Sequence, residues 1–96
     1  MDFLIVGCGF SGCVIANELA KKGHKITLID KRNHIGGNCY TYVNDYGIII
    51  HKYGPHIFHT DKKKIWDYVR KYAKFEDYTN RVKCFHKGII YSLPIN

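Results

Sequence analysis

The chain has only four cysteines, two prolines and one tryptophan in 96 residues, and no apolar run long enough to cross a bilayer. Cys8, Cys13, Cys39 and Cys84 are scattered without a C-x-x-C, which argues against a disulfide framework and for free thiols in a reducing compartment. The N-terminus shows no basic segment followed by a long apolar stretch, so no signal peptide is visible and a cytoplasmic location is the default expectation. Internal repeats and low-complexity linkers are absent too. The length allows one small domain, residues 1–96, and excludes a complete two-domain enzyme. The proportions, 46% hydrophobic and 24% charged, are those of a globular protein.

Acidic residues are also scarce. Eight Asp plus Glu against 15 Lys plus Arg leave a formal charge of +7, which invites a nucleic-acid reading. The basic residues are dispersed, however, and Lys62-Lys63-Lys64 is the one dense run. It follows Thr60-Asp61, either of which suits the cap of a helix with Ile65, Trp66, Val69, Tyr72 and Ala73 as its apolar positions. The lysines then decorate a solvated first turn. With no recognised nucleic-acid fold motif or aromatic stacking platform beside the charge, no nucleic-acid partner is expected, although a basic field helps to collect anionic ligands.

What the chain does have is Gly7-Cys8-Gly9-Phe10-Ser11-Gly12, a G-x-G-x-x-G entered directly from the apolar run Phe3-Leu4-Ile5-Val6. A helical pattern follows from about Ser11 to Lys22, with Val14, Ile15, Leu19 and Ala20 as its apolar residues and Gly23 as its C′ residue. Lys25 to Ile29 reads as a second strand, closed by Asp30, which stands 18 residues after Gly12. The fold class is therefore α/β, with a Rossmann-like βαβ unit. Gly7 permits the tight bend, Gly9 lets backbone approach a pyrophosphate, and Gly12 lets the helix lie close to the strand. The helix N-terminus favours the phosphate charge, and Asp30 stands where an acid accepts a hydrogen bond from the adenosine ribose. Glycine-rich turns also arise for local reasons, but a strand before, a helix after and an acid at this spacing favour a dinucleotide.

A second glycine pair, Gly36-Gly37, follows the acid closely and suggests another close backbone approach to the ligand, the alternative being an ordinary loop. Cys39 to Val43 and Ile48 to His51 read as two strands joined through Asn44-Asp45-Tyr46-Gly47. Cys84-Phe85 and Ile89-Ile90-Tyr91 flank His86-Lys87-Gly88 as a second hairpin. Between the hairpins, His51-Lys52-Tyr53-Gly54-Pro55-His56-Ile57-Phe58-His59-Thr60 gathers three histidines. Such a loop suits an imidazole over a cofactor ring, a hydrogen bond to that ring, a metal site, or histidines that simply pack or face water. Spacing gives no metal geometry, and no metal is assigned.

Two blocks are more specific than the glycine turn: Arg32-Asn33-His34-Ile35-Gly36-Gly37-Asn38 and His51 to Thr60. With Phe3 to Gly12, Ala16-Asn17-Glu18-Leu19, Ile65-Trp66-Asp67-Tyr68-Val69, Thr79-Asn80 and Leu93-Pro94-Ile95-Asn96, the sequence resembles the N-terminal part of bacterial-type UDP-galactopyranose mutases. These flavoenzymes interconvert the pyranose and furanose forms of UDP-galactose, so the resemblance implies FAD rather than NAD. It implies that Ser11 contacts the pyrophosphate and that Asp30 with Lys31 holds the adenosine side. Asn38 would stand near the ribityl-phosphate region, His56 with Ile57 near the isoalloxazine, and Asn80 near the sugar nucleotide. The chain departs from the family in carrying Asp30 where Glu is common and Ser11 where a bulkier residue is frequent.

The resemblance also implies a redox-neutral isomerisation in which N5 of reduced FAD attacks the anomeric carbon and expels UDP, with the cofactor as nucleophile and His56 as the candidate catalytic side chain. Family members are several times longer, so the chain reads as an FAD-binding portion, incomplete relative to the full family fold and inactive alone, with UDP-galactose a ligand only when the missing domain is supplied. An apolar face drawn from Trp66, Phe75, Phe85 and Ile90 is expected to lack its cover and to favour association. Two alternatives remain open: a non-catalytic nucleotide-binding remnant or interaction module, and a fragment of another FAD enzyme of the amine-oxidase type.

Overall fold

The computed structural model describes residues 1–93, and the Pro94-Ile95-Asn96 end of the last matching block lies outside the described residues. The chain divides into two units, Met1–His56 and Ile57–Asn96.

In the first unit, β1 (Asp2–Val6), α1 (Phe10–Lys21) and β2 (Lys25–Ile29) form a βαβ motif with the strands parallel. Phe3 lies opposite Ile26 and Ile5 opposite Leu28, and these four side chains form the half-buried face. Leu4, Val6, Thr27 and Ile29 alternate onto the exposed face. Helix α1 begins one residue earlier than its periodicity suggests, and its apolar face is differently placed. Gly12, Ala16 and Leu19, spaced i, i+4, i+7, are turned inward, whereas Val14 and Ile15 are 42% and 52% exposed. The cause is Gly12: a Cβ there would stand 3.4 Å from Ile5 Cγ2, so the helix rolls its smallest residues onto the strands. Beyond Lys22, the Gly23 N–H donates to Ala20 O (2.9 Å) and the His24 N–H to Leu19 O (3.3 Å). With Gly23 at φ 84°, this is a Schellman ending, as the glycine predicts.

After β2 the chain passes through a 3-10 turn at Gly37–Cys39 into the hairpin of β3 (Thr41–Val43) and β4 (Ile49–His51). Both strands are shorter than read: Cys39 and Tyr40 belong to the turn, where their N–H groups donate to Gly36 O and Gly37 O, and Ile48 belongs to the connection held by Asn44. Asn44 Oδ1 accepts from the N–H groups of Tyr46 (3.0 Å) and Ile48 (2.9 Å) and closes the connection.

The second unit holds α2 (Lys63–Val69) and the hairpin of β5 (Lys83–His86) and β6 (Ile89–Ser92). Neither Thr60 nor Asp61 is the N-cap; that position is Lys62, whose N–H donates to Thr60 Oγ1. The helix ends before Tyr72 and Ala73, because the chain turns back to bring Phe75 onto Trp66 and Phe58. The three rings lie 5.1 to 5.6 Å apart, two of the pairs edge to face, and the indole N–H donates to Thr60 O at 3.0 Å. The first turn carries its lysines into solvent, with Lys63 paired to Asp67. In the hairpin, Lys87 (φ 47°) and Gly88 (φ 79°) form a two-residue turn with both residues left-handed, which matches the strand twist. Of the apolar face expected to stand uncovered, Trp66 and Phe75 cover each other in part, while Phe85 and Ile90, paired across the hairpin, are 72% and 65% exposed. Among the described residues Cys8 alone reaches the buried class, and no helix is long and apolar enough to cross a membrane.

Candidate functional site

The glycine turn is built from backbone contacts. The Gly7 N–H donates to Ile29 O at 2.7 Å and so extends the β1–β2 ladder into the turn. Gly7 has φ 108°, and a Cβ on Gly12 would fall 1.9 Å from Gly7 O, so the turn closes only with glycine at both positions. Gly9 is the N-cap of α1, with no side-chain cap and no acidic residue in the first turn. The first intrahelical bond there is Cys13 N–H to Gly9 O (3.0 Å), so the N–H groups of Phe10, Ser11 and Gly12 have no intrahelical acceptor. A Cβ on Gly9 would meet nothing nearer than Gly37 Cα at 3.9 Å, which leaves bare backbone beside the helix N-terminus. That cradle, electropositive and without a side chain, fits a pyrophosphate.

The segment after β2 wraps this turn. Asp30 Oδ2 accepts from the Cys8 N–H at 2.7 Å and Oδ1 from the Arg32 N–H at 2.8 Å. The Cys8 carbonyl in turn accepts from the Gly36 N–H (2.8 Å) and from Cys13 Sγ (3.4 Å). Cys8 is thus held through both of its backbone groups. Gly37, at φ 58°, packs against Gly9: its Cβ would stand 3.0 Å from Gly9 Cα. The second glycine pair therefore makes a close backbone approach, and the backbone it approaches is the first glycine turn.

These contacts set two acidities. The Cys8 N–H and then the Arg32 N–H hold the Asp30 carboxyl below its ordinary value, with lesser help from the Arg32 and His34 charges and against a burial cost. Burial, then the Asp30 carboxylate and Cys13, push the Cys8 thiol up.

Several residues that the motifs leave unassigned join this site. The Arg32 guanidinium lies 4.3 Å from the centre of the Tyr53 ring and donates to Asn38 Oδ1 at 3.0 Å. His34 stacks on Tyr40 at 3.8 Å with the planes 14° apart. Its Nδ1 is 3.0 Å from Ile35 O, an acceptor, so Nδ1 carries the proton, and in the neutral ring Nε2 accepts from the Tyr53 hydroxyl at 2.7 Å. Tyr40 and Tyr53 stand 6 and 19 residues after His34, and no local sequence pattern marks them as its partners.

Gly7, Gly9, Ser11, Gly12, Asp30, Lys31, Gly36, Gly37 and Asn38 all lie in the first unit, on the turn or on the segment that wraps it. Ser11 and Lys31 are exposed. His56 ends that unit; its Nδ1 donates to Gly54 O at 2.8 Å, which leaves Nε2 as the ring nitrogen open to a ligand. Ile57 and Asn80 belong to the second unit, and both are exposed. His51 lies on β4 and His59 on the following segment, both exposed. Among the described residues no group of three His, Cys, Asp or Glu is placed to hold a metal ion.

Residues 5–72 match the family of NAD(P)-binding Rossmann-like domains. The chain is 54% identical over 94 residues to a dTDP-fucopyranose mutase of Escherichia coli, covering 97% of this chain and 25% of that protein. It is 51% identical over 96 residues to a probable UDP-galactopyranose mutase of Klebsiella pneumoniae, covering 99% of this chain and 25% of the relative. An L-amino acid oxidase of Cerastes cerastes is 35% identical over 70 residues, covering 73% of this chain and 14% of the oxidase. The chain thus spans about a quarter of the length of the mutases it matches. The resemblance to UDP-galactopyranose mutases is borne out, and the amine-oxidase alternative is the weaker one.

Proposed function

The chain belongs to the family of NAD(P)-binding Rossmann-like domains, and we propose that it is the FAD-binding portion of a nucleotide-sugar pyranose mutase. What supports this reading most is the similarity to two mutases, at 51% to 54% identity over an alignment that spans 97% to 99% of the chain. The bare backbone cradle at Gly9 agrees with it. Bound FAD would supply a nucleophilic flavin nitrogen for attack at the anomeric carbon of the sugar.

In this reading the chain's own residues bind and orient. The N–H groups at the start of α1, with Ser11, hold the pyrophosphate. Asp30 keeps the turn in shape through Cys8 and, with Lys31, takes the adenosine side. A shorter acid already committed to two backbone N–H groups approaches a ribose hydroxyl with its remaining lone pairs. Asn38 serves the ribityl-phosphate region, held by Arg32 Nη1, which donates to its Oδ1 and leaves the amide NH₂ as its donor to the cofactor. His56 presents Nε2 to the flavin, with Ile57 beside it in sequence, and Asn80 serves the sugar nucleotide. These 96 residues alone do not turn over substrate, because the mutases they resemble are about four times as long.

The preferred substrate is UDP-galactopyranose. The Escherichia coli relative, similar at 54%, supports dTDP-fucopyranose as the second candidate. Titration of the purified chain with FAD, followed by flavin fluorescence, tests the cofactor assignment. Saturable quenching is expected, and no change at any FAD concentration would sink the assignment for this chain. Conversion of UDP-galactofuranose by the chain with FAD and dithionite would overturn the claim that it is inactive alone.

A further inference from the structure

We infer that His34 is a positioning residue of this site: it locks the Ile35–Gly36 peptide in the orientation that ties the second glycine pair to the glycine turn. The inference rests on the cofactor reading for its use, but not for its geometry. Ile35 C=O and Gly36 N–H belong to one peptide plane. Its oxygen accepts from His34 Nδ1 (3.0 Å), and its N–H donates to Cys8 O (2.8 Å). The two bonds hold the two ends of one planar unit, so rotating that unit breaks both.

Gly36, at φ 96° and ψ −10°, is where such a rotation meets least steric resistance, since glycine takes positive and negative φ about equally well. Beyond Nδ1, the imidazole is held on two further sides. Its face lies on Tyr40, its Nε2 on the Tyr53 hydroxyl, and Tyr53 is held in turn by the Arg32 guanidinium over its ring. Tyr53, on the segment after β4, thereby helps to fix a peptide 17 residues earlier, the one bonded to Cys8 and next to Gly37, which backs Gly9. Placing the cradle before the ligand arrives spares the complex the cost of ordering it.

Three variants and two measurements test this. In cofactor-free protein, amide exchange at Gly36 is expected to speed up by about fivefold to tenfold in His34→Phe, the equivalent of one net hydrogen bond. Tyr53→Phe is expected to act in the same direction and less strongly. His34→Asn, which returns a donor near the Nδ1 position, is expected to recover most of the protection. Amides of β1 and β2 serve as the control for folding and keep their rates. FAD affinity follows the Gly36 order, the Kd of His34→Phe rising by a similar factor. Unchanged Gly36 exchange in His34→Phe, or no recovery in His34→Asn, overturns the inference. Should a variant lose protection throughout β1 and β2, the ¹⁵N shifts of the unaltered His34 ring decide instead: a proton on Nδ1 is expected, and a proton on Nε2 alone overturns it. If the unaltered chain fails to bind FAD, the cofactor reading falls, while Gly36 exchange still decides whether the lock exists.

Discussion

Gly9 and Gly37 meet backbone to backbone, close enough that a Cβ on Gly37 would stand 3.0 Å from Gly9 Cα. Two glycine motifs far apart in sequence thus form one structure. The cradle at the start of α1 has a floor made by the chain segment that follows β2.

Gly9 and Gly37, and Gly12 packed against Gly7, respond differently to alanine. Gly12→Ala drives a Cβ to 1.9 Å from Gly7 O and is expected to cost about 3 kcal/mol or more, as severe overpacking does. Gly37→Ala adds left-handed strain to a tight contact and is expected to cost about 1–2 kcal/mol. Gly9→Ala, with ordinary φ and nothing nearer than 3.9 Å, is expected to leave stability within about 0.5 kcal/mol and to weaken FAD binding instead. Urea titrations followed by circular dichroism, beside flavin titrations, check this order. Equal stability losses at all three positions would refute it.

The Asp30 clamp has a defined acid limit. Its carboxyl is held below the ordinary value of 3.8 by the Cys8 and Arg32 N–H groups. A depressed folded-state value contributes stability that is complete above the unfolded value and is lost as pH falls through the folded one. The clamp therefore persists through 3.8 and fails at lower pH. The Cys8 amide proton shift, followed by NMR, is expected to titrate with a midpoint under 3.8, and a midpoint at or above it would contradict the hydrogen-bond assignment.

Thiol chemistry separates the cysteines. Cys8 is 7% exposed and its thiol is pushed up by burial and by the Asp30 carboxylate, so little thiolate forms at neutral pH. Alkylation with iodoacetamide, mapped by mass spectrometry, is expected to reach Cys39 and Cys84, both half-buried and free, well before Cys8. In Asp30→Asn the carboxylate charge is gone and the Cys8 rate is expected to rise. Labelling of Cys8 as fast as Cys84 in the unaltered chain would remove the basis for this order.

The βαβ unit was legible because its signals are local. An apolar strand, a glycine turn, a helical period and Gly23 at the Schellman position each act within a few residues. The inward face of α1 was not legible, since Val14 and Ile15 carry the hydrophobicity while the close approach at Gly12 decides which face turns in. The end of α2 was hidden for a related reason. Periodicity runs on to Tyr72 and Ala73, and only the return of Phe75 to Trp66 shows why the helix stops. At the site, the glycines and Asp30 announced themselves by spacing. The His34–Tyr53 hydrogen bond joins residues 19 apart through a loop and a hairpin, and no local pattern encodes it. Gly36-Gly37 was readable as a close approach, but a sequence does not say to which backbone.

Cys8 alone lies in the buried class among the described residues, while Leu4, Val6 and Ile29 share an open sheet face. Unfolding these residues therefore wets little apolar surface that is not wet already. Denaturant sensitivity and the heat-capacity increment both scale with newly exposed area. The chain by itself is due a shallow urea slope and a broad melt of low enthalpy, and any polypeptide that shields the Leu4–Val6–Ile29 face would steepen the one and sharpen the other.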